Sequence, residues 1–300
     1  MVEEKRFAVL IDADNVSAKY IKYILDEITN YGVATYKRIY ADWTKPNTSS
    51  WKDVLLENSV TPIQQYGYTV GKNATDSAMI IDAMDILYSG NVDGFCIVSS
   101  DSDFTKLSSR LRESGMLVVG MGEKKTPKPF IASCNQFKYL DVLAESENQM
   151  AADNSSSSRT DESKTEGENQ ADKTSKSSKN SSQDKNDKTM TDINTIKMAI
   201  IKMVNEIDDE DQSMNIGELG SRLVKRYPDF DVRNYGDTKL SKFLKKFDFL
   251  DMHTKGAEGT SLWVSLKHNP TEQESHAEAA KPAKTQKVRK RTYNKKKKTQ

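Results

Sequence analysis

A chain of 300 residues of which only 36% are hydrophobic is too polar to fold as one globule, and its formal net charge of +1 is a cancellation between regions. Residues 1–145 carry 16 basic and 19 acidic side chains, whereas residues 281–300 carry 10 basic and none acidic. No run reaches the ~18 apolar residues that span a bilayer, which argues against a membrane protein. No apolar stretch of signal-peptide length opens the chain, and Cys96 and Cys134 form no CxxC pair, so a reduced, cytoplasmic protein is expected, without a disulfide framework or a cysteine zinc site.

In chain order, FAVLI (Phe7–Ile11) is a continuous apolar run, as in a strand covered on both faces. Ile21, Ile24, Leu25 and Ile28 recur at helical spacing. Val33–Tyr40 alternates as a strand, Val54 and Leu55 fall in a short helix, and Thr61–Tyr66 is a further strand. A helix over Ser77–Tyr88 has an apolar stripe of Ile80, Ala83, Met84 and Leu87. Phe95–Val98 predicts a second fully buried strand. Phe104, Leu107, Ser108 and Leu111 share one helical face that Gly115 ends, and Leu117–Gly120 is another strand. Strands alternating with helices imply a parallel sheet in an α/β sandwich.

Residues 146–191 contain no Leu, Ile, Val, Phe, Tyr or Trp and predict a disordered linker, because they bury too little apolar area to offset ordering. The apolar pattern restarts over 192–267. Ile196, Ala199, Ile200, Met203 and Ile207 form one helical stripe; Ile216, Leu219, Leu223 and Val224 form a second; Leu240, Phe243, Leu244 and Phe247 form a third. Two strands, Phe249–His253 and Ser261–Leu266, then flank the turn GAEG. Three helices and a hairpin outline a small α+β winged helix. Residues 268–300 are expected to be a disordered basic tail.

The candidate chemistry lies in the placement of aspartates. Asp12 and Asp14 follow the FAVLI strand directly, in IDADN, and Asp101 and Asp103 follow FCIV, in SSDSDF. Ligands of open parallel sheets bind beyond the carboxyl ends of the strands, so neighbouring strands place these carboxylates on one rim. Asp76, in GKNATDSAM, opens the next helix and faces the same crevice in this reading. Clustered carboxylates push their pKa values apart or demand a counter-cation, and hard oxygen ligands suit Mg²⁺ or Mn²⁺. Each aspartate pair taken alone also reads as a helix N-cap; both pairs after buried strands favour function. Asp82, six residues past Asp76, is about 240° around the helix and shares no face with it, and for it a structural role weighs as heavily as a supporting one. Lys72 and Asn73 precede Asp76 as phosphate contacts or as a surface turn. Trp43 and Trp51 flank a polar loop, where they either stack bases or pack the loop base. All three histidines lie outside residues 1–145, which excludes His-based and Ser-His-Asp catalysis there. The absence of GxxxxGK[ST] argues against a P-loop enzyme.

IDADN, NATDSAMIIDAMD and VSSDSDF together resemble the NYN domain of the LabA-like branch of PIN-type nucleases, over about residues 6–141. The resemblance implies a Rossmann-like α/β fold, a metal-binding acidic pocket formed by Asp12, Asp76, Asp101 and Asp103, and supporting polar positions at Asn15 and Ser100. RNA is the substrate it implies, with cleavage assisted by Mg²⁺ or Mn²⁺. Residues 192–267, through YPDFDVRNYGDTKLSKFLKKFDFLDM and SLWVSL, are similar to LOTUS (OST-HTH) domains, which are associated with RNA and in some proteins with protein partners. Arg233, Lys239, Lys242 and Lys246 are the basic positions expected to meet RNA there. The division is then a nuclease domain over 1–145, a linker over 146–191, a LOTUS domain over 192–267 and a tail over 268–300. The implied activity is a metal-dependent ribonuclease acting on single-stranded RNA. A catalytically inactive RNA-binding adaptor and a nuclease that also cuts DNA remain as alternatives.

Overall fold

The computed structural model describes residues 4–66, 74–147, 190–207, 213–255 and 261–267. Lys72, Asn73, the GAEG turn, most of the 146–191 segment and the tail from residue 268 lie outside the described residues.

Six strands form one parallel sheet: β1 (Arg6–Asp12), β2 (Val33–Ala41), β3 (Thr61–Gln64), β4 (Gly94–Val98), β5 (Leu117–Gly122) and β6 (Gln136–Tyr139), in spatial order β3-β2-β1-β4-β5-β6. The sheet is the expected Rossmann-like one. The chain builds outward from β1 to β3, then returns to β1's other side and builds outward again, so the order reverses between β1 and β4. A crevice opens at such a reversal, beyond the carboxyl ends of the two strands.

Alternation along β1 decides the layers. Phe7, Val9 and Ile11 face one core and Ala8 and Leu10 the other, all fully buried, because successive strand side chains point to opposite faces. The first core takes Ile21, Ile24 and Ile28 of α1 (Ile21–Ile28), Leu55 of α2 (Lys52–Glu57), and Leu140 and Leu143 of α6 (140–147). The second takes Met79, Ala83 and Ile86 of α3 (Ala74–Ser89), Leu107 and Leu111 of α4 (Thr105–Glu113), and Phe130 and Ile131 of α5 (Lys128–Ser133). Gly115 ends α4 at φ 84°, a left-handed conformation that glycine adopts without strain.

Some expectations shift, and one open alternative is decided. The α3 stripe is turned one position toward the N-terminus: Met79, Ala83 and Ile86 are buried, while Ile80, Met84 and Leu87 are only partly so. The helix is rolled so that Thr75 and Asp76 also turn inward. β6 adds a strand beyond those the apolar pattern predicts, and β3 stops at Gln64. Trp51 is 2% exposed and packs in the core, which removes it as a base-stacking surface, and the Trp43 indole N–H donates to the Ile63 carbonyl at 3.0 Å.

The C-terminal part contains α7 (Ile193–Asn205), β7 (Ser213–Asn215), α8 (Ile216–Arg226), a 3-10 turn (Val232–Tyr235), α9 (Leu240–Lys245), β8 (Leu250–Lys255) and β9 (Ser261–Leu266). Its strands form an antiparallel sheet ordered β7-β9-β8 around a core that includes Ile196, Ile200, Leu219, Leu223, Phe243, Leu244 and Val264.

This part does not hang free of the first; the described residues up to Leu266 group into one compact unit. The backbone N–H of Phe137 in β6 donates to the Pro228 carbonyl at 2.7 Å. Arg233 grips both Glu27 carboxylate oxygens at 3.0 and 3.1 Å and Asp231 at 2.7 Å. Lys138 reaches Asp231 at 2.5 Å and Glu27 at 3.6 Å. Two positive and two negative groups thus neutralise one another at the junction, with Glu27 only 6% exposed. The Tyr139 hydroxyl donates to Asp229 at 3.3 Å.

Candidate active site

The crevice at the order reversal is where the aspartates gather. Asp12 is the last residue of β1 and has no exposed surface. A buried carboxylate needs donors, and it has three: the Asp14 backbone N–H on Oδ1 at 3.0 Å, and on Oδ2 the Asn15 side-chain amide at 2.8 Å and the Ser99 hydroxyl at 2.8 Å. Burial pushes the Asp12 carboxyl up, and these hydrogen bonds act against that shift.

Ser99 follows β4 directly. Its hydroxyl donates to Asp12 and accepts from the Asp101 backbone N–H at 3.1 Å, tying the ends of the two strands together. Asp101 caps the 3-10 turn Ser102–Phe104, its Oδ1 accepting from the Asp103 N–H at 3.0 Å. Capping therefore occupies one carboxylate oxygen of Asp101, Oδ1, and does not exclude a second role for Oδ2. Ser100 accepts from the Glu123 N–H at 2.9 Å and pins the loop after β5 beside the one after β4. Gly122 permits that approach: a Cβ there would lie 2.6 Å from the Ser99 carbonyl oxygen.

Asp76 enters from the first turn of α3, where a helix N-terminus favours negative charge. One carboxylate oxygen from each of Asp76, Asp101 and Asp103 lies within 4.8 Å of the other two. The Asp76 carboxyl is pushed up to about 6, first by burial, then by the charges of Asp12, Asp101, Asp103 and Asp14. Carboxylates of α3 and of the turn after β4 thus converge, and Asp12, expected as a fourth member, is near enough to act on Asp76 but is not one of the three. Three hard oxygen donors gathered in this way could hold one divalent metal ion.

The remaining expected residues fall elsewhere. Asp14 is exposed and serves Asp12 through its backbone. Asp82 binds Arg38 and Tyr40, fastening α3 to β2, and stands outside the carboxylate trio. Arg233 is held by Glu27 and Asp231 at the junction rather than on an open face. Lys246 pairs with Asp237 at 2.5 Å. Lys239 and Lys242 are exposed around α9. Cys96 and Cys134 are buried free thiols, and burial pushes Cys134 up to about 12. Ser99 is the site residue that sequence reasoning missed; its only signal was adjacency to the aspartates.

The family model for the NYN domain matches residues 6–141, and that for the OST-HTH/LOTUS domain matches residues 191–262. An uncharacterized protein of Methanocaldococcus jannaschii is 26% identical over 123 residues, covering 40% of this chain and 48% of its own length. This chain thus matches about half the length of that relative. A solved structure of a protein of unknown function from Vibrio parahaemolyticus is 19% identical, with a TM-score of 0.39, covering 46% of this chain and 94% of its own. The chain carries an NYN domain, of the PIN-like nuclease superfamily, followed by an OST-HTH/LOTUS domain.

Proposed function

We propose that this protein is a divalent-metal-dependent ribonuclease. The observation that carries the reading is the convergence of Asp76, Asp101 and Asp103, with one oxygen of each within 4.8 Å of the others, beside the buried, triply hydrogen-bonded Asp12. An NYN domain points to phosphodiester hydrolysis and a LOTUS domain to RNA, and the donor set is one that Mg²⁺ or Mn²⁺ takes. When bound, such an ion supplies Lewis acidity toward the phosphate and lowers the pKa of water.

The chain's own residues do the rest. Asp101 and Asp103 offer carboxylate oxygens from a turn that their own hydrogen bond keeps rigid. Asp76 is a carboxylate at neutral pH and a carboxylic acid below about 6, so it presents negative charge to the crevice only above that pH. Asp12 is fixed by Asn15 and Ser99, and its charge adds to burial and to the charges of Asp101, Asp103 and Asp14 in raising the Asp76 carboxyl. Lys72 before α3, with Lys239 and Lys242 of the LOTUS domain, contacts RNA phosphates. The substrate is single-stranded RNA, whose unpaired backbone can bend into a crevice between two strand ends.

The test is cleavage of end-labelled single-stranded RNA with Mg²⁺, Mn²⁺ or EDTA, using the full chain, Asp12→Asn and Asp101→Asn. Metal-dependent cleavage that disappears in both variants is expected. Equal behaviour of wild type and variants overturns the reading in favour of a non-catalytic RNA-binding adaptor. A DNA strand of the same sequence, competing in the same tube, decides sugar preference.

A further inference from the structure

The docking of the two domains creates a second site. A cavity of about 570 Å³ lies at their junction. The NYN side contributes Arg112 at the end of α4 and Asn135 and Gln136 at the start of β6; the LOTUS side contributes Lys225 and Arg226 at the end of α8, with Pro228. Among the described residues, no carboxylate lines it. This contrasts with the neighbouring charges of the junction, where Arg233 and Lys138 are matched by Glu27 and Asp231.

The charged side chains of the lining are all cationic. Arg112 uses one nitrogen, Nη1, to hold the Ala132 and Ser133 carbonyls at 3.2 Å each, which orients the guanidinium. Asn135 accepts from the Val118 N–H through Oδ1 at 2.8 Å, and Gln136 accepts from the Tyr31 hydroxyl through Oε1 at 2.8 Å. Each side chain therefore keeps its amide NH₂ group as a donor. Three cationic side chains in a lining without an acid suit an anion with several oxygens.

The cavity opens at the start of β5 and β6, through Leu117 and Gln136. The acidic crevice lies beyond the carboxyl ends of β1 and β4. In a parallel sheet these are opposite edges, separated by roughly 20 Å of strand. One phosphate group cannot occupy both. A polymer can.

We propose that this junction cavity binds the phosphate backbone of the RNA strand whose scissile bond sits at the acidic crevice, anchoring it several nucleotides away. The inference rests on the RNA reading above but not on cleavage, so it is tested by binding in EDTA. Fluorescence anisotropy compares the full chain with Lys225→Glu/Arg226→Glu, both exposed positions, and with Lys22→Glu/Lys202→Glu, which alters net charge equally at exposed positions outside the cavity. The probes are a long single-stranded RNA and a trinucleotide, with a nucleoside monophosphate as competitor.

The cavity variant is expected to bind long RNA about tenfold more weakly or worse, with the salt dependence of log K reduced by roughly 0.7 for each phosphate it no longer neutralises. The trinucleotide, too short to span cavity and crevice together, should bind the wild type far more weakly than the long RNA does, and should be weakened in its turn by the cavity variant. Equal weakening by both double variants, no weakening by the cavity variant, no RNA binding by wild type, or full displacement of long RNA by the monophosphate overturns the proposal. Abolished cleavage in the acidic variants with RNA binding intact leaves it standing, and absence of cleavage in wild type with cavity-dependent binding refutes the nuclease reading alone.

Discussion

The Ser99 hydroxyl donates to Asp12 Oδ2 at 2.8 Å while accepting from the Asp101 backbone at 3.1 Å. One oxygen therefore fixes the two strand ends relative to each other. Ser99→Ala removes a donor from a fully buried carboxylate, at a cost of about 1–3 kcal/mol. It also moves the Asp12 carboxyl further up. The expected result is a fall in kcat of about 10–100-fold and a pH–rate profile displaced to higher pH, with partial recovery in Ser99→Thr. An unshifted profile at full activity would show that the hydroxyl only holds the loop.

The Asp76 carboxyl gives a pH dependence with a definite sign. Its folded value of about 6 lies above the ordinary aspartate value of 3.8, so the fold favours the protonated form. In metal-free protein the resulting penalty is absent below about pH 4, grows as pH rises through about 6 and is constant above. Asp76→Asn should therefore raise the melting temperature in EDTA at pH 7.5, by the equivalent of about 1–3 kcal/mol, and the gain should vanish near pH 4. Mn²⁺ affinity of the wild type should rise with pH up to about 6 and then level off, as isothermal titration would record.

Asp82 is expected to separate folding from chemistry. Removing its carboxylate in Asp82→Ala strands Arg38 and Tyr40, which it holds against α3, and should lower stability by about 1–3 kcal/mol. The variant should still be stabilised by Mn²⁺ and should retain metal-dependent cleavage per folded molecule. Failure of a folded Asp82→Ala protein to bind Mn²⁺ would place this residue in the site after all.

Arg233→Ala leaves Glu27 and Asp231 sharing Lys138 alone. An uncompensated buried charge costs about 3 kcal/mol or more. Denaturant unfolding followed separately by probes in each domain should show one transition in the wild type and two in Arg233→Ala.

Much of this arrangement was legible in the residues. Asp12, Asp101 and Asp103 could be placed because each follows an uninterrupted apolar run of strand length within an alternation of strands and helices, and strand ends on a parallel sheet share a rim. Asp76 was legible through its position at a helix start. Ser99 was not, since a serine beside aspartates is indistinguishable from an N-cap until the neighbouring strand is in place. β6 and β7, four and three residues long, are too short for a period-two pattern to stand out. The Glu27–Arg233 pair spans 206 positions of chain; charge totals reveal the supply of each sign but not who meets whom.

The bond from Phe137 to Pro228 has a consequence for how this chain behaves in company. A terminal strand with open amides is a template for another molecule's strand. Here one flank of the sheet is stoppered by a carbonyl from a proline-led loop, whose own ring nitrogen has no hydrogen to continue the ladder. Cut before residue 190, the nuclease half would display that flank bare, and would be expected to stick to its own kind as its concentration rises.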